Sequence, residues 1–160
     1  MIWASVAFLG TACGGGGGGD PTGPPAANIV GHYSITHSGT LTGLPAITCP
    51  GELDITSQTG TSFSGTITIT STVDCQQLAG SGMINGTVTS SGALTFTITI
   101  SNLEALLEAA GCEIVGGDPT FTGSAGTAGI SASRTISLSC VIEGGTLETD
   151  FEYTIAGPKT

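Results

Sequence analysis

Arg134 is the residue of this sequence whose type and position most directly suggest binding chemistry. It stands between Ala132 and Ile136 in a segment where apolar residues alternate with serine and threonine, so strand periodicity places its guanidinium on the apolar side. There it could bind a ligand carboxylate through two parallel hydrogen bonds. The alternative is a structural role, in which backbone carbonyls or an acidic neighbour satisfy the group, since guanidinium is rarely buried unpaired. Arg134 is therefore our candidate ligand-binding residue.

Five carboxylates fall on two alternating segments: Glu148, Asp150 and Glu152 on one, Glu52 and Asp54 on the other. Carboxylate oxygens are the ligands that Ca²⁺ prefers. Side chains two residues apart on a strand, however, lie about 6.5–7 Å from each other, too far to share one ion without loop carbonyls. We interpret the carboxylates of these two segments as solvent-exposed acidic faces of strands. We predict no metal site and no cofactor.

The two histidines do not form a catalytic or metal-binding pattern. His32 and His37 are separated by an odd number of positions, which sends them to opposite faces of a strand. The sequence contains no G-x-S-x-G turn, and neither histidine stands in a recognisable triad context. Because no acid, base and nucleophile converge, we predict that the protein is not an enzyme.

Cys13 has a distinctive setting. An apolar segment at 2–9 and the small residues Gly10, Thr11 and Ala12 precede it, and a flexible tract of six glycines follows at 14–19. This order resembles the export signal and lipid-attachment site of bacterial lipoproteins, although no Lys or Arg precedes the apolar segment and Gly10 stands where that family usually has leucine. The resemblance implies a signal peptide at 1–12 and palmitate-type lipidation of Cys13. An ordinary cleaved signal peptide with an incidental cysteine is the alternative.

The same resemblance implies where the protein lies. Residues 13–27, rich in glycine and then proline, would form a lipidated tether, flexible at first and stiffer at Pro24-Pro25. Members of the family with aspartate directly after the cysteine tend to stay at the inner membrane, and this chain has Gly14 there. We therefore expect an exported protein anchored to the cell envelope, at the outer membrane if the host is Gram-negative.

Four further cysteines indicate two disulfide bonds, because an even number in an exported domain is typical of a disulfide framework. The chain between Cys49 and Cys75 centres near the turn signal at 58–61, and the chain between Cys112 and Cys140 centres in the glycine-rich stretch 123–129. Each pair would then meet across the open end of a hairpin-like unit. We predict the pairs 49–75 and 112–140.

Alternation of apolar and hydroxyl residues predicts eight strands. It is strong over 63–70, 94–100, 130–140 and 147–155, and weaker over 29–37, 51–57, 81–90 and about 113–122. A capping residue, helix formers and a terminal glycine predict one short helix at 101–111. We predict an all-β domain at 28–160, an antiparallel up-and-down barrel, with an Ig-like sandwich as the alternative. This body loosely resembles lipocalins, but it lacks their tryptophan near the first strand.

Composition limits the function. Twelve acidic residues face two basic ones, for a net charge of −10, which disfavours nucleic acid because that affinity depends on Lys and Arg at the phosphates. Two function classes stay open: a binding module for a small apolar or amphipathic ligand inside the barrel, or a structural or interaction protein of the cell envelope with no such ligand. Small interior residues, among them Gly65, Gly86 and Ala132, predict room for a cavity.

Overall fold

The structure, a computed structural model, describes residues 24–42, 45–76, 78–100, 111–143 and 145–160. Those residues form nine β-strands: β1 (Gly31–Leu41), β2 (Ile47–Thr59), β3 (Ser62–Ile69), β4 (Gly80–Val88), β5 (Ala93–Ile100), β6 (Cys112–Gly117), β7 (Thr120–Ala125), β8 (Gly129–Ile142) and β9 (Gly145–Pro158). Except for Gly111, the predicted helix at 101–111 lies outside the described residues.

Eight of the strands close into an antiparallel barrel. The order around the wall is β7, β5, β4, β3, β2, β1, β9 and β8, and β8 pairs with β7 to complete the circle. Each strand therefore lies beside its predecessor in the chain, with β6 as an additional strand. The predicted up-and-down barrel is confirmed, and the sandwich alternative is wrong, because closure leaves no two separate sheets to pack face to face.

The predicted strand at about 113–122 is two strands, which corrects the sequence analysis. Asp118 and Pro119 separate β6 from β7, and both strands pair with the long β8. Proline has no N–H to donate to a ladder, and the Asp118 carboxylate accepts the backbone N–H of Thr120 at 2.8 Å. Hydrogen bonding to the Thr120 side chain, and secondly to its backbone N–H, lowers the pKa of Asp118. The ladder with β8 is thus interrupted at this point, and β6 and β7 follow one another in the same direction along β8.

The core runs along the barrel axis, because alternate residues of each strand point inward. The largest fully buried side chains include Tyr33, Phe96, Phe121 and Leu53. Threonine and serine occupy most of the outward positions of β3, β4, β5 and β7. The periodicity that predicts the strands therefore also predicts which face is buried.

The two ends of the barrel differ. The segment preceding β1 closes one end: the Ala27 N–H donates to the Thr89 carbonyl, and Tyr33 donates its hydroxyl to the Ile29 carbonyl at 2.6 Å. Because neighbouring strands run antiparallel, the β1–β2, β3–β4 and β8–β9 connections lie at the opposite end. Both disulfide bonds are at that second end, away from the segment that leads back to the predicted tether.

Candidate functional site

Arg134 lies on β8 at the position where the strand that pairs with β8 changes from β7 to β6. Its neighbour Ser133 is opposite Thr122 of β7, whereas Ile136 is opposite Gly117 of β6. Its Nη1 donates a hydrogen bond to the Pro119 carbonyl at 3.3 Å. The break between β6 and β7 therefore supplies a backbone acceptor for the guanidinium, as the structural interpretation of Arg134 anticipates.

Two aromatic rings form the rest of the setting of Arg134. Its guanidinium carbon is 4.8 Å from the centroid of the Phe121 ring and 6.0 Å from that of Tyr153, distances at which a cation is attracted to the face of a ring. The side chain thus lies on the inner side of the wall, where its periodicity places it. Burial lowers the pKa of Arg134, but an arginine stays protonated in proteins.

The charge of Arg134 is incompletely matched. Within the described part of the chain, no carboxylate lies within ion-pair distance of the guanidinium, and its Nε is buried without a hydrogen-bond partner. A buried donor without an acceptor costs about 1–3 kcal/mol. An anion that reached this group would therefore find both a positive charge and an unused donor.

Next to Arg134 is a buried polar pair that the sequence analysis missed. The Tyr153 hydroxyl and His37 Nδ1 are 2.6 Å apart, and His37 Nε2 is 3.0 Å from the Thr68 carbonyl oxygen. Because a carbonyl only accepts, Nε2 carries the proton, and a neutral His37 accepts the hydroxyl proton of Tyr153 at Nδ1. His37 is 3% exposed, and this burial lowers its pKa, an effect that the hydrogen bond to Thr68 partly offsets.

A glycine makes room for that pair. A Cβ at Gly51 would collide with the Thr68 carbonyl and with Nε2 of His37. The imidazole therefore occupies space that any other residue at position 51 would fill. The sequence places His37 and His32 on opposite faces of a strand. The partner of His37, Tyr153, is 116 positions away, and the two meet only because β1 pairs with β9.

His32 lies on the other face of β1, as the odd spacing predicts. Its Nδ1 is 2.7 Å from an Asp54 carboxylate oxygen, and both side chains are substantially exposed. This hydrogen bond raises the pKa of His32, with smaller contributions from the charges of Asp54 and Glu52. The pair is a surface ion pair between β1 and β2.

The acidic residues of β9 also lie outside. Glu148, Asp150 and Glu152 are exposed, and Asp150 accepts a hydrogen bond from the Ser137 hydroxyl at 2.8 Å. In the described ranges, no three histidine, cysteine or acidic side chains come close enough together to hold a metal ion. The arrangement is that of a charged outer surface.

The interior is filled by side chains rather than hollow. The Phe63 ring and the Phe96 side chain occupy the space where a Cβ of Gly86 would lie. Phe96 stacks on Phe121 with centroids 5.0 Å apart, and Phe121 meets Tyr153 edge to face at 5.3 Å. Two depressions of about 650 and 460 Å³ lie on the outside of the barrel and are open to solvent. The space expected beside Gly86 is thus occupied by neighbouring rings, and the space beside Gly65 by the Asp54 carbonyl of the adjacent strand.

The cysteines pair as predicted. Cys49 of β2 joins Cys75 in the β3–β4 connection, with Cα atoms 5.9 Å apart. Cys112 and Cys140 are direct cross-strand partners of β6 and β8, with Cα atoms 4.0 Å apart. The second bond ties the additional strand to the barrel.

Comparison with known proteins finds no protein-family model that matches the chain and no curated protein with significant sequence similarity to it. The predicted signal peptide, Cys13 and most of the tether precede residue 24 and so lie outside the described residues. Among the described residues, no helix has the length and hydropathy needed to cross a membrane.

Proposed function

We propose that this chain is an exported, lipid-anchored protein of the cell envelope whose barrel works as an interaction module through its outer surface. The observation that carries the proposal is the filled interior. Tyr33, Phe96 and Phe121 are fully buried, and ring contacts continue from Phe63 to Tyr153. Among the described residues these rings pack against one another inside the barrel, which supports recognition at the outer face.

Two further features support the exported, anchored part of the proposal. Two disulfide bonds are typical of an oxidising compartment, and the residues around Cys13 resemble a lipid-attachment site. The segment entering β1 closes the end of the barrel opposite the disulfide bonds. A lipidated Cys13 would therefore hold the disulfide end towards the solvent.

Metabolic labelling with radioactive palmitate tests the anchor. We expect label in the chain expressed in a bacterial host, recovery in the membrane fraction, and loss of both in the Cys13→Ser variant. Cys49→Ser with Cys75→Ser is the control, because this pair of changes removes one disulfide bond from the folded body and leaves position 13 intact. Equal labelling of wild type and Cys13→Ser, or no labelling of either, would contradict the proposal.

A second candidate function rests on the unmatched guanidinium of Arg134, whose Nε is buried without a partner. In this view the site binds the carboxylate of a small amphipathic molecule at the break between β6 and β7. Calorimetric titration with decanoate, and with decylamine as the charge-reversed control, tests it. We expect decanoate binding in the wild type and none in Arg134→Gln; equal affinity in the two proteins would exclude this function.

A further inference from the structure

His37 is a buried ionisable group that the proposed function does not use. Both of its ring nitrogens have fixed roles: Nε2 donates to the Thr68 carbonyl of β3, and Nδ1 accepts the hydroxyl proton of Tyr153 of β9. A proton added at Nδ1 would meet the hydroxyl hydrogen, so the Tyr153 hydroxyl would have to turn away and lose its acceptor. The site is therefore complementary to a neutral imidazole.

Strands β2 and β3 offer the imidazole no negative charge. β3 contains no ionisable residue, and the β2 residue opposite His37 is Cys49, which is in a disulfide bond. Glu52 is exposed, and Asp54 binds the other histidine on the outer face of the sheet. Asp74, in the connection between β3 and β4, is exposed as well. Among the described residues, no carboxylate lies within ion-pair distance of His37.

Strands β9 and β8 bring a cation instead. Burial raises the pKa of the Tyr153 hydroxyl, so this group is uncharged near neutral pH, and the acidic residues of β9 lie on its outer face. The imidazole stacks on the Tyr153 ring with centroids 5.9 Å apart, and the guanidinium carbon of Arg134 is 6.0 Å from the same ring centroid. On β1 itself, His32 lies on the outer face, and Tyr33 donates its hydroxyl to a backbone carbonyl. A protonated imidazole would thus be a buried charge without a described counter-charge, which is strongly unfavourable.

His37 lies in the ladder that joins β1 to β9. That ladder runs from Thr36 to Leu41 in six residue pairs, whereas fourteen pairs join β9 to β8. At the tether end, β1 is held separately by the bridge between Tyr33 and Lys159. Opening of the six-pair ladder breaks fewer contacts than global unfolding does, so it requires less free energy.

We propose that His37 is an acid-sensitive switch in the seam between β1 and β9, and that its protonation separates the two strands over residues 36–41 and exposes the Tyr153 ring. The switch goes beyond the proposed function, because it needs neither the anchor at Cys13 nor a partner at the outer surface.

The sign of the pH dependence follows from the two states of the seam. Burial lowers the pKa of His37 in the closed barrel, and the hydrogen bond to Thr68 offsets this only in part. In the opened seam the imidazole regains an ordinary pKa of about 6.5. The closed seam is therefore fully favoured above that pH. Below it, opening becomes up to about tenfold more favourable per pH unit, until the pH reaches the lowered pKa of the closed state.

Hydrogen–deuterium exchange of the full chain, with both disulfide bonds intact, tests the switch. Exchange is followed by mass spectrometry at pH 7.5 and pH 5.5, with labelling times scaled for the intrinsic rates. We expect peptides covering 36–41 and 151–156 to exchange up to about tenfold faster at pH 5.5, and peptides of the β3–β4 ladder to keep their rate. Equal acceleration in every ladder would indicate global acid unfolding and overturn the proposal, as would no acceleration at the seam.

Two matched variants assign the proton. His37→Gln keeps an amide donor for the Thr68 carbonyl but cannot be charged, so the acid acceleration should disappear. His32→Gln removes the other histidine of the chain and should retain the acceleration at the seam. Acceleration that persists in His37→Gln would refute the switch.

A measurement on the wild type keeps the test independent of how His37→Gln folds. Nitrogen-15 NMR of labelled imidazoles distinguishes neutral from charged rings, and His32→Gln assigns the two signals. We expect His37 to stay neutral, with its proton on Nε2, at pH 6.5, where His32 is largely charged. A His37 that becomes charged at or above pH 6.5, with the seam amides still protected, would overturn the proposal.

Discussion

The buried hydrogen bond between Tyr153 and His37 makes the sharpest prediction about stability. Tyr153→Phe removes the hydroxyl that lies 2.6 Å from Nδ1 and leaves the ring in place. The acceptor nitrogen then has no partner at a site where His37 is 3% exposed. Leaving such a group unsatisfied costs about 1–3 kcal/mol. For a domain of about 130 residues, the melting temperature should fall by about 3–12 °C.

Urea denaturation followed by circular dichroism at pH 8, where His37 is neutral in both states, measures this cost. A double-mutant cycle with His37→Leu supplies the control, because removing both polar partners is far less costly than removing one. We expect the double variant to lose less free energy of unfolding than the sum of the two single variants. If Tyr153→Phe is as stable as the wild type, or if the two losses simply add, the assigned hydrogen bond and tautomer are wrong.

Three further predictions concern other parts of the fold. Gly51→Ala should destabilise the barrel by about 1–3 kcal/mol through overpacking, whereas Gly80→Ala, which has open space around its Cβ, should change the free energy of unfolding little; similar urea midpoints for the two would refute this. Replacing Cys49 and Cys75 together with alanine should cost about 3–4 kcal/mol, as expected for a loop of 26 residues; calorimetry measures the loss, and a clearly smaller one would contradict the prediction. His32 has a raised pKa, so its ion pair stabilises the fold below a pH of about 6.5 and stops doing so as the pH rises through the raised value; His32→Gln should lower the melting temperature at pH 5.5 but not at pH 9, and equal shifts at both would exclude that linkage.

Local patterns in the sequence predict much of this fold. Alternation along Leu94, Phe96 and Ile98 identifies a strand and its buried face without knowledge of its neighbours, because the side-chain period of a strand is two residues. The same rule separates His32 from His37. Turn signals between Cys49 and Cys75 and between Cys112 and Cys140 bring the correct sulfurs together, since the chain reverses direction between them.

Contacts between distant strands could not be predicted in this way. Counting Gly65, Gly86 and Ala132 predicts an empty interior, but the Phe63 ring, 23 positions before Gly86, fills the space beside it. The register of the strands decides which large side chain lies over which small one. Register is a property of two paired strands and cannot be read from one segment. The partners of Arg134 likewise depend on the break between β6 and β7 at Pro119, which periodicity alone does not reveal.

The sequence determines that this is an acidic, strand-rich domain with two disulfide bonds and with apolar residues on one face of each strand. It can do so because composition and the side-chain period are properties of single segments. The tertiary structure alone decides that neighbouring rings occupy the space beside Gly86 and that His37 meets Tyr153. Those outcomes come from the pairing of segments far apart in the chain. The free energy of each pairing depends on both partners at once.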